Sequence, residues 1–407
     1  LAKILETSGL VCAILMIDSL QFTPIPQKGM NAMKLLRRVL LTAALLLLTA
    51  LMVGAAEKYN DLLYLFYPSF CREVLGYLAT WAAKFDYVLW QRLCWVAVAL
   101  IVVTLVITIL RRENFLHWLF GWTVIAALFL CLYTAVWGLN RQGPDIASDM
   151  RLDASSDYTS SQLQAAAEYY LDEATKAAGE VTRDSDGLCQ VTDFPALADA
   201  AASGFTSMTK TCFVFGGSTE PAKPLAWSGL LRKFGVRGMM VPFTGEACVN
   251  TALLPAAMPF EISKQLARRM SIARDTDANF AAILACAASD DATYRYSGYF
   301  MAFSACYEAL AKVNPSKAAE LAGKTSSGLR ADLIANGTLD GDGSKYLSCR
   351  INTGEDASNG TVANLLVAWH VYLTTPVQEE EEASTTGAET VPPPEEATHP
   401  ADLKPAA

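Results

Sequence analysis

Three long apolar runs near the start of the chain decide most of what it can fold into. Residues 39–56 carry no charge and are mostly Leu, Ala and Val. Residues 93–110 are uncharged between Arg92 and Arg111, and residues 116–139 are uncharged and hold Trp118, Trp122, Tyr133 and Trp137. Each run has about the 20 apolar residues that cross a bilayer. Buried helices of a soluble core are the competing reading. The close spacing of the runs argues against it, as do tryptophans near the ends of the third, where an interfacial belt would place them. The three runs therefore predict an integral membrane protein that contacts the lipid bilayer through three spans.

Charge predicts the orientation. Lys28, Lys34, Arg37 and Arg38 precede the first span, and Arg111 and Arg112 lie between the second and third. The 57–92 connection is balanced, with four basic and four acidic residues. Positive charge on the cytoplasmic side puts the N-terminus and the 111–114 turn inside and residues 140–407 outside. Residues 138–407 hold 21 Lys and Arg against 34 Asp and Glu, a net charge of −13. That balance argues against nucleic acid as a partner, because nucleic-acid binding leaves a basic footprint.

The chain divides by composition into four parts. Residues 1–32 read as a leader, since Met30 or Met33 followed by Lys34, Arg37 and Arg38 has the form of an uncleaved signal anchor. Residues 33–139 are the membrane region, with an aromatic 57–92 connection expected to lie as amphipathic helices on the bilayer. Residues 140–375 form the exterior domain, and 376–407 an acidic Pro/Glu-rich tail too polar to bury a core. Within 140–375, residues 161–178 read as a helix, 227–236 as an amphipathic segment and 238–243 as a short strand. Pro259 begins a further helix, Asp275 and Asp290 stand as N-caps, and Pro315 and Gly337 bracket another helix. The fold class is mainly α.

Ten cysteines are present, six of them in the exterior domain: Cys189, Cys212, Cys248, Cys286, Cys306 and Cys349. An even number outside the cell permits disulfides, and buried thiols are an equal alternative. No Cys-x-x-Cys pair supports a thiolate zinc site.

Residues 259–273 carry an apolar stripe, Ile262, Leu266 and Met270, opposite a polar face of Glu261, Lys264, Gln265, Arg268 and Ser271. Taken alone, this is a surface helix with a solvated face. Five stretches change that reading: Trp137-Gly138-Leu139-Asn140-Arg141, Pro242-Phe243-Thr244-Gly245-Glu246-Ala247 with Val249-Asn250, Ala273-Arg274 with Asp277-Ala278-Asn279-Phe280, Ser289-Asp290-Asp291, and Arg295-Tyr296-Ser297-Gly298-Tyr299. In order and spacing the chain resembles, over roughly residues 35–375, a family of bacterial membrane proteins with three N-terminal membrane helices and an exterior zincin-like α+β domain. The resemblance implies a His-Glu-x-x-His motif, in which two imidazoles one turn apart hold Zn²⁺ and the glutamate works on its water. Laid on this chain, the first histidine falls on Lys264, the glutamate on Gln265, the second histidine on Arg268 and an acidic third ligand on Asp277.

Lysine and arginine are cations and poor zinc ligands, and glutamine cannot accept a proton. Zinc and catalysis are therefore expected to be lost, leaving a pseudo-peptidase of the cell envelope that binds a peptide or an envelope protein. An internal ion pair, Arg268 with Asp277, would replace the metal's charge. The alternative is an active envelope hydrolase with a displaced metal site or a carboxylate pair, Glu246 with Asp277. A third is a purely structural membrane scaffold. His370, beside Trp369, reads as a core or interface histidine, and no Gly-x-Ser-x-Gly elbow or phosphate loop is present.

Overall fold

The computed structural model describes residues 27–375, apart from 113, 154–157, 192, 342–345 and 352–360; side chains are described from residue 32. The expected leader up to residue 26 and the 376–407 tail lie outside the described residues. The chain divides into two units, residues 1–51 with 98–132, and residues 52–97 with 133–407.

The three apolar runs become helices α1 (Gln27–Lys58), α3 (Leu89–Leu110) and α4 (Phe115–Val136), separated by α2 (Tyr67–Ala82). Their mean hydropathies reach 2.5, 3.0 and 2.1, and only 6%, 6% and 17% of their most apolar windows are buried. Protein does not cover these surfaces, so the soluble-core reading fails and lipid is the solvent left for them. In the first unit, Arg38 donates to the His117 carbonyl, and the Trp118 and Trp122 indoles reach Thr104 Oγ1 at 3.0 and 3.4 Å. These two tryptophans bind a neighbouring helix. The third helix stops at Val136, short of residue 139, and Trp137 is buried within the second unit.

In the second unit, α5 (Ser160–Ala178) opens with a capping box between Thr159 and Gln162 and buries Leu163, Ala167, Tyr170 and Leu171. It packs on α9 (Ala292–Val313), the long central helix. Asp291, not Asp290, caps α9, accepting from the Thr293 and Tyr294 amides at 2.8 and 3.1 Å. Between them lie α6 (Phe194–Thr209), α7 (Met258–Arg269) and α8 (Asp275–Ala287). Helices α10 (Pro315–Lys324), α11 (Ser327–Ala335) and α12 (Val362–Thr374) complete the bundle. A Cβ on Gly204 would come within 1.9 Å of the Ala285 carbonyl, so glycine is required where α6 crosses α8.

The sheet is small. Its central strand β3 (Glu246–Val249) pairs parallel with β1 (Lys223–Pro224) and antiparallel with β2 (Gly238–Val241), with Met239 and Lys223 both opposite Cys248. All four β3 residues are buried, and α7 lies over the sheet. All nine described cysteines are free, and the six from Cys189 to Cys349 are buried thiols.

The 57–92 connection departs from expectation. Helix α2 is not free along its length. Its residues Cys71, Leu75, Ala79 and Ala82 are buried inside the second unit, with Leu75 against Trp137 and Ala273. Gly245, at φ 66°, makes this possible, because a Cβ there would lie 2.4 Å from the Leu75 carbonyl. The left-handed turn and the close approach both demand glycine.

Candidate functional site

Helix α7 is not the solvated surface helix that its charge pattern suggests. Glu261, Lys264 and Gln265 are 2%, 7% and 1% exposed, as buried as the apolar stripe behind them. Pro259 sits in its first turn, where a missing N–H costs nothing. The helix ends after Arg269 because Ser271 adopts φ 73°. The Ser271 and Ile272 amides then bond the Arg268 and Ala267 carbonyls at 3.1 and 3.2 Å, a Schellman closure with serine in the place usually held by glycine. Ser271 Oγ also donates to the Pro68 carbonyl at 3.1 Å, tying this turn to α2.

Two polar clusters occupy the buried face. Lys264 Nζ lies 3.1 Å from Asp275 Oδ1, and Arg268 Nη2 pairs with the same oxygen. The Asp275 side chain is 66% exposed, so the pair closes at the surface. Burial opposes the Asp275 charge, but Lys264 and Arg268 outweigh it and hold its carboxyl below the usual range. Beneath, Gln265 Nε2 donates to Glu261 Oε1 at 2.5 Å, and the Cys349 thiol lies 3.8 Å from Glu261 Oε2. Gly238 fits this spot because a Cβ would come within 2.8 Å of Glu261 Oε1.

The expected partner of Arg268 was Asp277; the structure puts Asp275 there instead. Asp275 is the first residue of α8, not its cap. Asp277, 6% exposed, accepts from the Ile146 amide at 3.3 Å. It lines a cavity of about 30 Å³ with Tyr64, Arg72, Asn140, Asp149 and Arg274. That volume suits one or two waters, not a peptide or a sugar. Tyr64 donates to Asp149, and burial raises the pKa of both. Asn140 Oδ1 has no protein partner among the described residues, while its amide donates to the Trp137 carbonyl at 2.9 Å.

Burial pushes Asp277 up to about 6, against the pull of Arg274 and the Ile146 amide. Unfolded, its pKa is near 3.8. The stability carried by its proton is complete below 3.8 and lost as pH rises through about 6. Asp277→Asn should therefore be more stable than the native chain by about 2 kcal/mol at pH 8, with the gain gone by pH 4. Denaturant midpoints of the full-length protein at several pH values measure this, and a difference independent of pH would refute it.

Glu246, the other half of the expected carboxylate pair with Asp277, has both its oxygens engaged by hydrogen-bond donors. Its oxygens accept from the Leu89 amide at 2.8 Å, the Trp90 amide at 2.9 Å, Thr244 Oγ1 at 2.9 Å and Lys223 Nζ at 3.0 Å. It therefore caps the first turn of α3, the second spanning helix. Lys223 Nζ also donates to the Ala82 and Tyr87 carbonyls at 2.7 and 3.0 Å, closing the end of α2. Sequence reasoning missed Lys223, and nothing local in the chain signals it. It also missed Arg269, which is 2% exposed and donates to the Ser218, Glu220 and Gly245 carbonyls. His370 is half-buried and packs its ring 5.2 Å from Tyr169.

Two of the stretches that carried the resemblance make these contacts within the second unit. Trp137, just past α4, donates its indole N–H to the Arg268 carbonyl at 3.0 Å, and the Thr244-Gly245-Glu246 turn seats α2 and starts α3. Fold and site define a mainly helical membrane protein: three apolar helices, a small three-stranded sheet and a buried polar helix. The chain belongs to the DUF3810 family, described as proteins of unknown function, whose model matches residues 59–347. No curated protein and no solved structure matches it significantly.

Proposed function

We propose that the second unit is a zincin-like domain that has exchanged its metal for an internal ion pair, and that it acts by binding a peptide or an envelope protein. One observation carries the reading. Lys264 and Arg268 stand one turn apart on a buried helix, and both end on Asp275 of the next helix. Two imidazoles in those places, with an acid from the following helix, would surround a cation. An ammonium and a guanidinium in the same places repel one, so the residues present do not fit zinc. Among the described residues no group of three or more His, Cys, Asp or Glu side chains could hold a metal ion. Gln265, at the general-base position, has its amide engaged with Glu261. Asp275 here takes the part that the resemblance gave to Asp277.

Purified full-length protein should contain no stoichiometric zinc and leave casein uncut. Elemental analysis finding about one zinc per chain, with proteolysis blocked by a chelator, would overturn the reading in favour of a hydrolase.

In the same reading the N-terminus is cytoplasmic and residues 140–375 face outward across the cell membrane. Arg37, Arg38, Arg111 and Arg112 support it. A periplasmic-type reporter fused after residue 375 should be active, and activity of a cytoplasmic reporter there would reverse the orientation.

A further inference from the structure

The segment from Leu225 to Val236 takes no part in the buried polar cluster, yet it is held firmly and shows apolar side chains to the outside. Its centre is a six-residue helix, Ser228–Lys233. Trp227, Leu230 and Phe234 are 60%, 48% and 74% exposed. On the inner side, Leu231 and Val236 pack against Val88, Leu225 and Cys248. Trp227 adopts φ 62°, a left-handed conformation costly for a bulky side chain.

The flanking bonds hold that conformation. Gln91 and Ala226 exchange two hydrogen bonds, at 2.9 and 3.2 Å, and the Leu225 amide bonds the Val249 carbonyl at 2.8 Å. Ser228 Oγ donates to the Leu225 carbonyl at 2.7 Å and accepts from the Thr251 amide at 3.1 Å. A strained, braced turn that displays three large apolar groups needs something to cover them.

The neighbour identifies the cover. The Trp227 ring lies 5.0 Å from that of Trp95, on spanning helix α3. Trp95 is three residues inside Arg92, about 5 Å further along the helix axis at 1.5 Å per residue. The uncharged stretch from 93 to 110 is only about long enough to cross the hydrocarbon. Arg92 therefore marks the membrane surface, and Trp95 sits at the depth where tryptophan anchors concentrate. A side chain whose ring meets that of Trp95 shares its depth. The helix also ends in the exposed Lys233, a charge that anionic headgroups attract.

We propose that Trp227–Phe234 is an interfacial membrane-docking element. Trp227, Leu230 and Phe234 enter the headgroup–acyl boundary at the α3 start of the spans, fixing the tilt of the second unit on the bilayer. The partner is the lipid surface itself, continuous with the lipid around the spans.

The test uses full-length protein in phosphatidylethanolamine–phosphatidylglycerol vesicles, with photoreactive p-benzoylphenylalanine replacing Leu230 or Phe234 in turn. Leu100, an exposed span residue, serves as the lipid-facing control, and Val313, exposed at the end of α9, as the comparison. Irradiation should give phospholipid adducts by mass spectrometry at 230 and 234 as at 100, with none at 313. Labelling at 100 but not at 230 or 234 would overturn the proposal. Crosslinks from 230 to a second copy would overturn it in favour of a protein interface. Equal lipid labelling at 313 would reduce it to general adsorption.

Discussion

Arg269→Met should unfold well below the native protein, while the same change at the adjacent Arg268 should barely register. Both are arginines at the end of one helix, and only their surroundings separate them. The Arg268 guanidinium ends on Asp275, whose side chain is two-thirds exposed. Exposed ion pairs contribute about 0–1 kcal/mol. Arg269 is fully enclosed and distributes its donors over the carbonyls of Ser218, Glu220 and Gly245. Its hydrogen bonds all go to backbone carbonyls, and burial lowers its pKa to about 10 against the pull of Glu220.

Methionine would fill most of the volume but would leave those carbonyls without donors. Each stranded buried acceptor costs about 1–3 kcal/mol, less what is regained by no longer burying a charge. The net loss should be about 3–5 kcal/mol, or roughly 10 °C in Tm for a unit of this size. Hydrogen exchange should rise most at 216–220, the loop that Arg269 ties down. Equal melting of the two variants would show that the buried bonds carry no stability.

The spans were legible because hydropathy over 20 residues leaves few alternatives. Helix α5 was legible because Leu163, Ala167, Tyr170 and Leu171 recur at helical spacing. Buried polar groups were not legible, because their partners lie elsewhere in the chain. The Glu261–Gln265 face looked solvated, and only the sheet, with Gly238, and Cys349 from the far end of the domain show that it is covered. The choice between Asp275 and Asp277 turned on Ser271. Its left-handed closure redirects the chain, so Asp275 returns to Lys264 and Arg268 while Asp277 turns toward Ile146. A serine at that position gives no local sign of such a turn. The 57–92 connection read as membrane-bound because its aromatic residues suit an interface. The face that packs is made of Cys71, Leu75, Ala79 and Ala82, an inconspicuous small-residue stripe.

Glu246→Ala should cost about as much as the arginine change and act in a different place. The carboxylate is 1% exposed and receives four hydrogen bonds, two of them from the first amides of α3. Those amides have no partner within the helix, and the positive end of the helix dipole points at the carboxylate. The residue that caps this helix comes from a strand 157 positions later in sequence. Alanine would strand both amides and leave Lys223, whose side chain is 15% exposed, with only the Ala82 and Tyr87 carbonyls. Removing one partner of a buried ion pair costs about 3–5 kcal/mol. Glu246→Gln should recover part of this, because the amide oxygen can still accept from one backbone N–H while the lost charge no longer balances Lys223. The local readout separates this from general destabilisation: amide exchange should rise at Leu89 and Trp90 and along the end of α2, with α9 unchanged. Uniform exchange across the unit would mean that Glu246 supports the core in general. Protection kept at Leu89 and Trp90 would mean that the second span starts without its distant cap, and that the geometry of the Thr244-Gly245-Glu246 turn serves only to seat Gly245 against α2.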